Sequence, residues 1–203
     1  MDGPWRSARP ILLASTSGTR RRLLAAAGLP VEPEDPGTDE RALQESLGLD
    51  DPEKIACALA GAKALSVSAR NPDRFVIGAD QVLVCEGEIL TRAEDEAEAR
   101  RNLARLQGRP HVLHVGVSIA RSGMVEASFC ETARLVMRPL DEAAIARYVD
   151  LVGPAATRSV GAYEIEGLGI HLFDAIEGEH TTILGLPLVP LLAALRRLGV
   201  LEL

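Results

Sequence analysis

Ile11-Leu12-Leu13-Ala14-Ser15-Thr16-Ser17-Gly18-Thr19-Arg20-Arg21-Arg22-Leu23-Leu24 sets an apolar run against a polar turn and then a helical repeat. Ile11 to Ala14 reads as a short buried strand. Ser15 to Gly18 reads as a turn, and a helix runs on to about Ala27 with Leu23, Leu24 and Ala27 on one face and Gly28 as its stop. Ser17 is the N-cap candidate. Arginines in a first turn oppose the helix dipole by ~0.3–1 kcal/mol each, where helix stability alone would select Asp or Glu. The turn therefore has two readings. One is an anion site in which backbone N–H groups, hydroxyls and a guanidinium converge on a phosphate. The other is a solvated basic helix face. The lysine and glycine pattern of a P-loop is absent.

Outward from this unit, elements alternate. Residues 30–40 are rich in Pro, Gly and acid and read as a loop. Asp51-Pro52-Glu53 is a strong helix start, and Ile55, Leu59 and Ala62 keep one face apolar to about Ala69. Arg74 to Ile77 reads as a strand broken by Gly78-Ala79-Asp80 and resumed from Gln81 to Cys85, with Glu86-Gly87 a turn. A helix over about 95–107 carries Ala99, Leu103 and Leu106. Two long strands, His111 to Ala120 and Val125 to Met137, flank a Ser122-Gly123 hairpin turn. Asp141 to Val149 is expected helical, with Ala144, Ile145 and Tyr148 inward. Ile170 to Phe173 is a short strand, and Pro187 opens a last helix ended by Gly199. The pattern is α/β with a mixed sheet.

With 203 residues, 47% of them apolar, the chain can form one domain, or two lobes sharing one sheet. Aromatics are only 3%, so Leu, Val, Ile and Ala must build the core. A net charge of −7 argues against a general nucleic-acid binder and leaves open a small phosphorylated ligand held by local cations or a metal. Cys57, Cys85 and Cys130 are far apart in sequence and odd in number, which argues against a disulfide framework and fits a reducing compartment. The opening Met1-Asp2-Gly3-Pro4-Trp5-Arg6 lacks a signal-peptide core, and apolar stretches fall short of the ~20 residues that span a bilayer. A cytoplasmic protein without membrane association is expected.

Glu40, Lys63 and Asp80 form a second constellation. Two carboxylates and an ammonium near phosphates suit metal-assisted phosphoryl chemistry. Each also has a plainer explanation: Glu40 as a loop charge, Lys63 as a solvated helix lysine. Asp80 lies within a β-rich run, where a charge needs a reason. The histidines, His111, His114, His171 and His180, show no ligand spacing.

Several separated motifs occur in order: Leu12-Leu13-Ala14-Ser15-Thr16-Ser17 with Arg20-Arg21, Thr38-Asp39-Glu40, Ala60-Gly61-Ala62-Lys63-Ala64, Ile77-Gly78-Ala79-Asp80-Gln81-Val82, Gly161-Ala162-Tyr163-Glu164-Ile165-Glu166-Gly167-Leu168-Gly169 and Leu184-Gly185-Leu186-Pro187-Leu188. Together they resemble the Maf family of nucleotide pyrophosphatases, collinearly from about residue 11 to 199.

The resemblance implies an elongated two-lobed α/β fold, related to the ITP pyrophosphatases, with a central mixed sheet and a cleft between lobes, over residues 1–203 as one domain. It implies hydrolysis of a nucleoside triphosphate to the monophosphate and pyrophosphate, dependence on Mg²⁺ or Mn²⁺, and a homodimer. Carried over by position, Ser15, Ser17 and Arg20 look like a phosphate-gripping turn. Glu40 and Asp80 look like the acidic, metal-holding pair with Asp80 the central catalytic acid, and Lys63 like the phosphate-binding lysine. Arg92 would meet the leaving pyrophosphate. Gln81 and Glu166 resemble the 7-methyl-GTP-cleaving subgroup, with Glu166 facing the base. Gly18-Thr19 departs from the family's Pro-Arg or Pro-Trp, and Thr91-Arg92-Ala93 from its Gly-Lys-Pro. These departures keep open an alternative in which the protein is a weakly active or non-enzymatic regulator of septum formation.

Overall fold

The computed structural model describes residues 3–203. The strands are β1 (Ile11–Ala14), β2 (Val31–Glu34), β3 (Val76–Cys85), β4 (Glu88–Leu90), β5 (Pro110–Arg121), β6 (Met124–Met137) and β7 (Phe173–Glu177). The helices are α1 (Gly18–Ala26), α2 (Glu40–Leu47), α3 (Pro52–Arg70), α4 (Glu96–Leu106), α5 (Glu142–Val152), α6 (His180–Ile183) and α7 (Leu188–Arg197). The sheet runs β2-β1-β3-β5-β6-β7, with β4 on β3. β1 pairs parallel with β2 and β3, whereas β4 on β3 and β7 on β6 are antiparallel. The expected mixed α/β sheet is the one observed.

The chain divides into two compact units. One holds the chain up to Asp80, Val115–Glu131 and Glu179–Leu203; the other holds Gln81–His114 and Thr132–Gly178. In the first unit, strand alternation sorts side chains cleanly onto two faces. Ile11 and Leu13 of β1, Ile77 and Ala79 of β3, and Val117 and Ile119 of β5 pack with Leu24 of α1 and Leu191, Ala194 and Leu195 of α7. Leu12, Ala14, Val76 and Ala120 turn the other way, against Ala64 and Val67 of α3.

α3 lies almost on the backbone of this second face. Ala56, Ala60 and Ala64, fully buried and one turn apart, line its inner side. Beneath them a Cβ on Gly78 would stand 2.1 Å from the Ala60 carbonyl oxygen, and one on Gly116 would stand 2.3 Å from that of Ala56. Alanine on the helix and glycine on the strands are what allow so close a contact.

In the second unit, Ala99, Leu103 and Leu106 of α4 and Ile145, Tyr148 and Val149 of α5 are buried. His111, Tyr163 and Phe173 form an aromatic cluster: Tyr163 and Phe173 meet edge to face with centroids 4.8 Å apart, and His111 Nε2 lies 2.9 Å from the Tyr163 hydroxyl. Burial lowers the His111 imidazole to about 4.

Several expectations need correcting. Residues 31–34 form a strand, because β2 is the sheet edge and an edge tolerates Pro33. β3 does not break at Gly78-Ala79-Asp80; it is continuous, and the glycine serves the approach of α3. The strand expected over Ile170–Phe173 is instead a 3-10 helix, Leu168–Leu172, that leads into β7. The helices α2 and α6 were not anticipated; Asp39 caps the first by accepting from the Ala42 N–H at 3.0 Å.

Candidate active site

Gly78 sets the position of Asp80. Two residues apart on β3, both point to the α3 face, and Lys63 stands next to Ala64, whose nitrogen would be 2.7 Å from a Cβ on Gly78. The Lys63 ammonium consequently reaches Asp80 Oδ1 at 2.6 Å and Glu40 Oε1, at the start of α2, at 2.7 Å. Lys63 and Asp80 are buried, at 5% and 6% exposure, while Glu40 is exposed. A buried lysine between two carboxylates is no solvated surface charge. The plainer explanations of Lys63 and Glu40 give way to a preformed ionic cluster. Each carboxylate commits one oxygen to the ammonium in these contacts and has a second for a cation.

The basic turn adjoins this cluster. Ser17 caps α1, its Oγ accepting from the Arg20 N–H at 3.3 Å, and Ser15 Oγ accepts from the Ser17 N–H at 3.2 Å. Arg20 does more than face an anion. Its Nε donates to the Gly185 carbonyl at 2.8 Å, and its Nη1 donates to the Ala79 carbonyl at 2.9 Å and to Ser15 Oγ at 3.3 Å. One guanidinium thus ties the β1–α1 turn, the residue before Asp80 and the Leu184-Gly185-Leu186 segment together. The sequence named Arg20 but gave no sign of these carbonyl partners.

The structure brings Ser15, Ser17, Arg20, Glu40, Lys63 and Asp80 together within the first unit. Gln81, Arg92 and Glu166 belong to the second. Gln81 follows Asp80 and points to the opposite face of β3. Arg92 is exposed between β4 and α4, and Glu166 is exposed just before the 3-10 helix.

The cluster is a carboxylate pair centred on a buried lysine, one carboxylate at a strand interior and the other at a helix start. The family model of Maf-like proteins matches residues 10–198. The chain belongs to the Maf family. It is 51% identical over 199 residues to the nucleoside triphosphate pyrophosphatase of Nitrobacter winogradskyi, covering 98% of each chain. It is 44% identical over 191 residues to the 7-methyl-GTP pyrophosphatase of Bartonella quintana, covering 94% of this chain and 96% of that one. Among solved structures, the Staphylococcus aureus Ham1 protein aligns with a TM-score of 0.42 at 17% identity, over 64% of this chain and 72% of that one. Among the described residues of this Maf protein, no helix is long and apolar enough to cross a membrane.

Proposed function

We infer that this Maf protein hydrolyses nucleoside triphosphates to nucleoside monophosphate and pyrophosphate, at the carboxylate pair held by Lys63. The observation that carries the reading is the single buried ammonium bridging Glu40 and Asp80 at 2.7 and 2.6 Å. The donor set fits a hard divalent ion such as Mg²⁺ or Mn²⁺, which takes one or two carboxylates and fills its coordination with waters and substrate phosphates. Glu40 and Asp80 would hold the ion. When bound, it neutralises phosphate charge and polarises the phosphorus under attack.

Asp80 orients a water at the α-phosphorus and receives its proton as the water oxygen bonds to phosphorus. The bond from that phosphorus to the bridging oxygen breaks, and pyrophosphate leaves. Lys63, buried at the centre of the pair, would donate to the substrate's phosphate oxygens. The Ser15–Ser17 turn, with the free N–H groups at the start of α1, grips the phosphate chain. Arg20 keeps that turn and Asp80 in register.

The finer assignment is 7-methyl-GTP or a related modified nucleotide. It is supported by Gln81 and Glu166 and by the name of the Bartonella quintana relative. A carboxylate at Glu166 accepts from the N1–H and exocyclic amine of a guanine-type edge. Arg92 is proposed to stabilise the leaving group.

Pyrophosphate release over a panel of ordinary and methylated triphosphates, with and without Mg²⁺ or Mn²⁺, tests both levels. Metal-dependent release is expected, with Asp80→Asn lowering kcat at least ~10²-fold and Glu166→Gln narrowing the preference for the methylated guanine. A folded protein that releases nothing from any triphosphate would overturn the enzymatic reading.

A further inference from the structure

Cys57 of α3 and Cys130 of β6 lie on the same side of the sheet. That placement follows from the sheet faces. Gly116 of β5 presses on the Cys57 backbone, where its Cβ would stand 2.5 Å from the Cys57 nitrogen. One helical turn on, a Cβ on Gly61 would stand 3.6 Å from Ser118 Oγ. Gly116 and Ser118 therefore face α3. Ser118 Oγ lies 3.0 Å from Ser128 Oγ on β6, which places Ser128, and by alternation Cys130, on the same face. The intervening Ala127 and Phe129 confirm the sorting, since they pack on the opposite face with Val117 and Ile119.

The Cys130 thiol donates to the Glu131 carbonyl, with Sγ 3.9 Å from the oxygen. The Cys57 thiol is held down, to about 7, chiefly by the neighbouring Cys130 side chain; burial and the Glu53 carboxylate oppose this, and Ser128 assists. Cys130 is pushed up, first by Cys57 and then by burial. Both residues are free cysteines and only partly buried, so a small oxidant reaches them. The pair thus has the two parts of a redox site: an accessible sulfur with thiolate character and a second thiol beside it on the same sheet face.

We propose that Cys57 and Cys130 form a peroxide-responsive dithiol that closes to an intramolecular disulfide. The Cys57 thiolate attacks the O–O bond of a hydroperoxide, giving a sulfenic acid and releasing hydroxide, or alkoxide from an organic peroxide. The Cys130 thiol then attacks the sulfenic sulfur, the S–S bond forms, and water leaves. Two thiols lose two electrons to one peroxide. The new bond staples the first turns of α3 to β6.

The test is brief exposure of the reduced, full-length protein to hydrogen peroxide, followed by alkylation and intact and peptide mass spectrometry. The expected product is a monomer lighter by two hydrogens, with a peptide linking Cys57 to Cys130 and Cys85 alkylated as a free thiol. In Cys130→Ser the reaction should stop at a Cys57 sulfenic acid that dimedone traps, and in Cys57→Ser Cys130 should survive as a thiol. Recovery of both thiols at peroxide doses that oxidise free cysteine would overturn the proposal. So would over-oxidation of Cys57 beside an intact Cys130, or a Cys85-containing disulfide. The wild-type measurement decides the matter even if a variant folds poorly.

Discussion

Gly78 and Ala60 are in backbone contact: a single added carbon on Gly78 would lie 2.1 Å from the Ala60 carbonyl oxygen. No flexible side chain stands between them to absorb an intrusion. Because Asp80 lies two residues further along the same strand and Lys63 three further along the same helix, this contact sets the reach of their ion pair.

Gly78→Ala should therefore injure both stability and turnover. Pushing a helix off a sheet by overpacking costs about 1–3 kcal/mol. Chemical denaturation should show a loss of that order. Separation of Lys63 from Asp80 should lower kcat in the folded fraction. Native-like stability with full activity would show that α3 can shift without consequence.

The Lys63 ion pairs make a second prediction. Removing one partner of a buried pair typically costs about 3–5 kcal/mol because the remaining charge is stranded. Lys63→Met leaves Glu40 facing Asp80 with no cation between them, and should be the more destabilising single change. The double variant Lys63→Met, Asp80→Asn should recover part of that loss. Simple additivity in the four-member cycle, measured by urea unfolding, would deny the coupling.

Arg20 should not be replaceable by lysine. Its Nε and Nη1 reach two carbonyls in different segments, Gly185 and Ala79, a span an ammonium cannot reproduce. Each lost charge-assisted hydrogen bond is worth about 1.5–3 kcal/mol. Arg20→Lys is expected to lower stability by about 2 kcal/mol or more and to reduce kcat along with phosphate affinity. An effect confined to KM would restrict Arg20 to gripping substrate.

The second unit should be acid-sensitive through His111. Its folded value of about 4 lies below the ordinary 6.5, so the unfolded chain binds the proton more readily. The contribution is complete above pH 6.5 and is lost as the pH falls toward 4. Between pH 7 and 5 it amounts to about 2 kcal/mol. His111→Gln, which can still bond to the Tyr163 hydroxyl but does not titrate, should flatten this part of the stability profile. An unchanged profile would place the acid sensitivity elsewhere.

Local signals found much of this architecture. Ser17 and Asp51 were readable as helix caps because capping is decided by one side chain and the next turn. Ser122-Gly123, both at positive φ, announced the hairpin. The errors came where a neighbour overrules local preference. Pro33 reads as loop until β2 is known to be an edge. Gly78 reads as a strand break until α3 is known to lie on it. Glu40, Lys63 and Asp80 could be named from the chain, but their convergence depends on that approach, which no spacing encodes. Cys57 and Cys130 looked isolated because the sheet faces that join them come from distant segments.

Lys63 also gives the protein a resident cation. Two neighbouring carboxylates would repel one another if nothing lay between them, and here the ammonium balances them from within the fold. Treatment with a chelator should therefore leave the melting temperature unchanged.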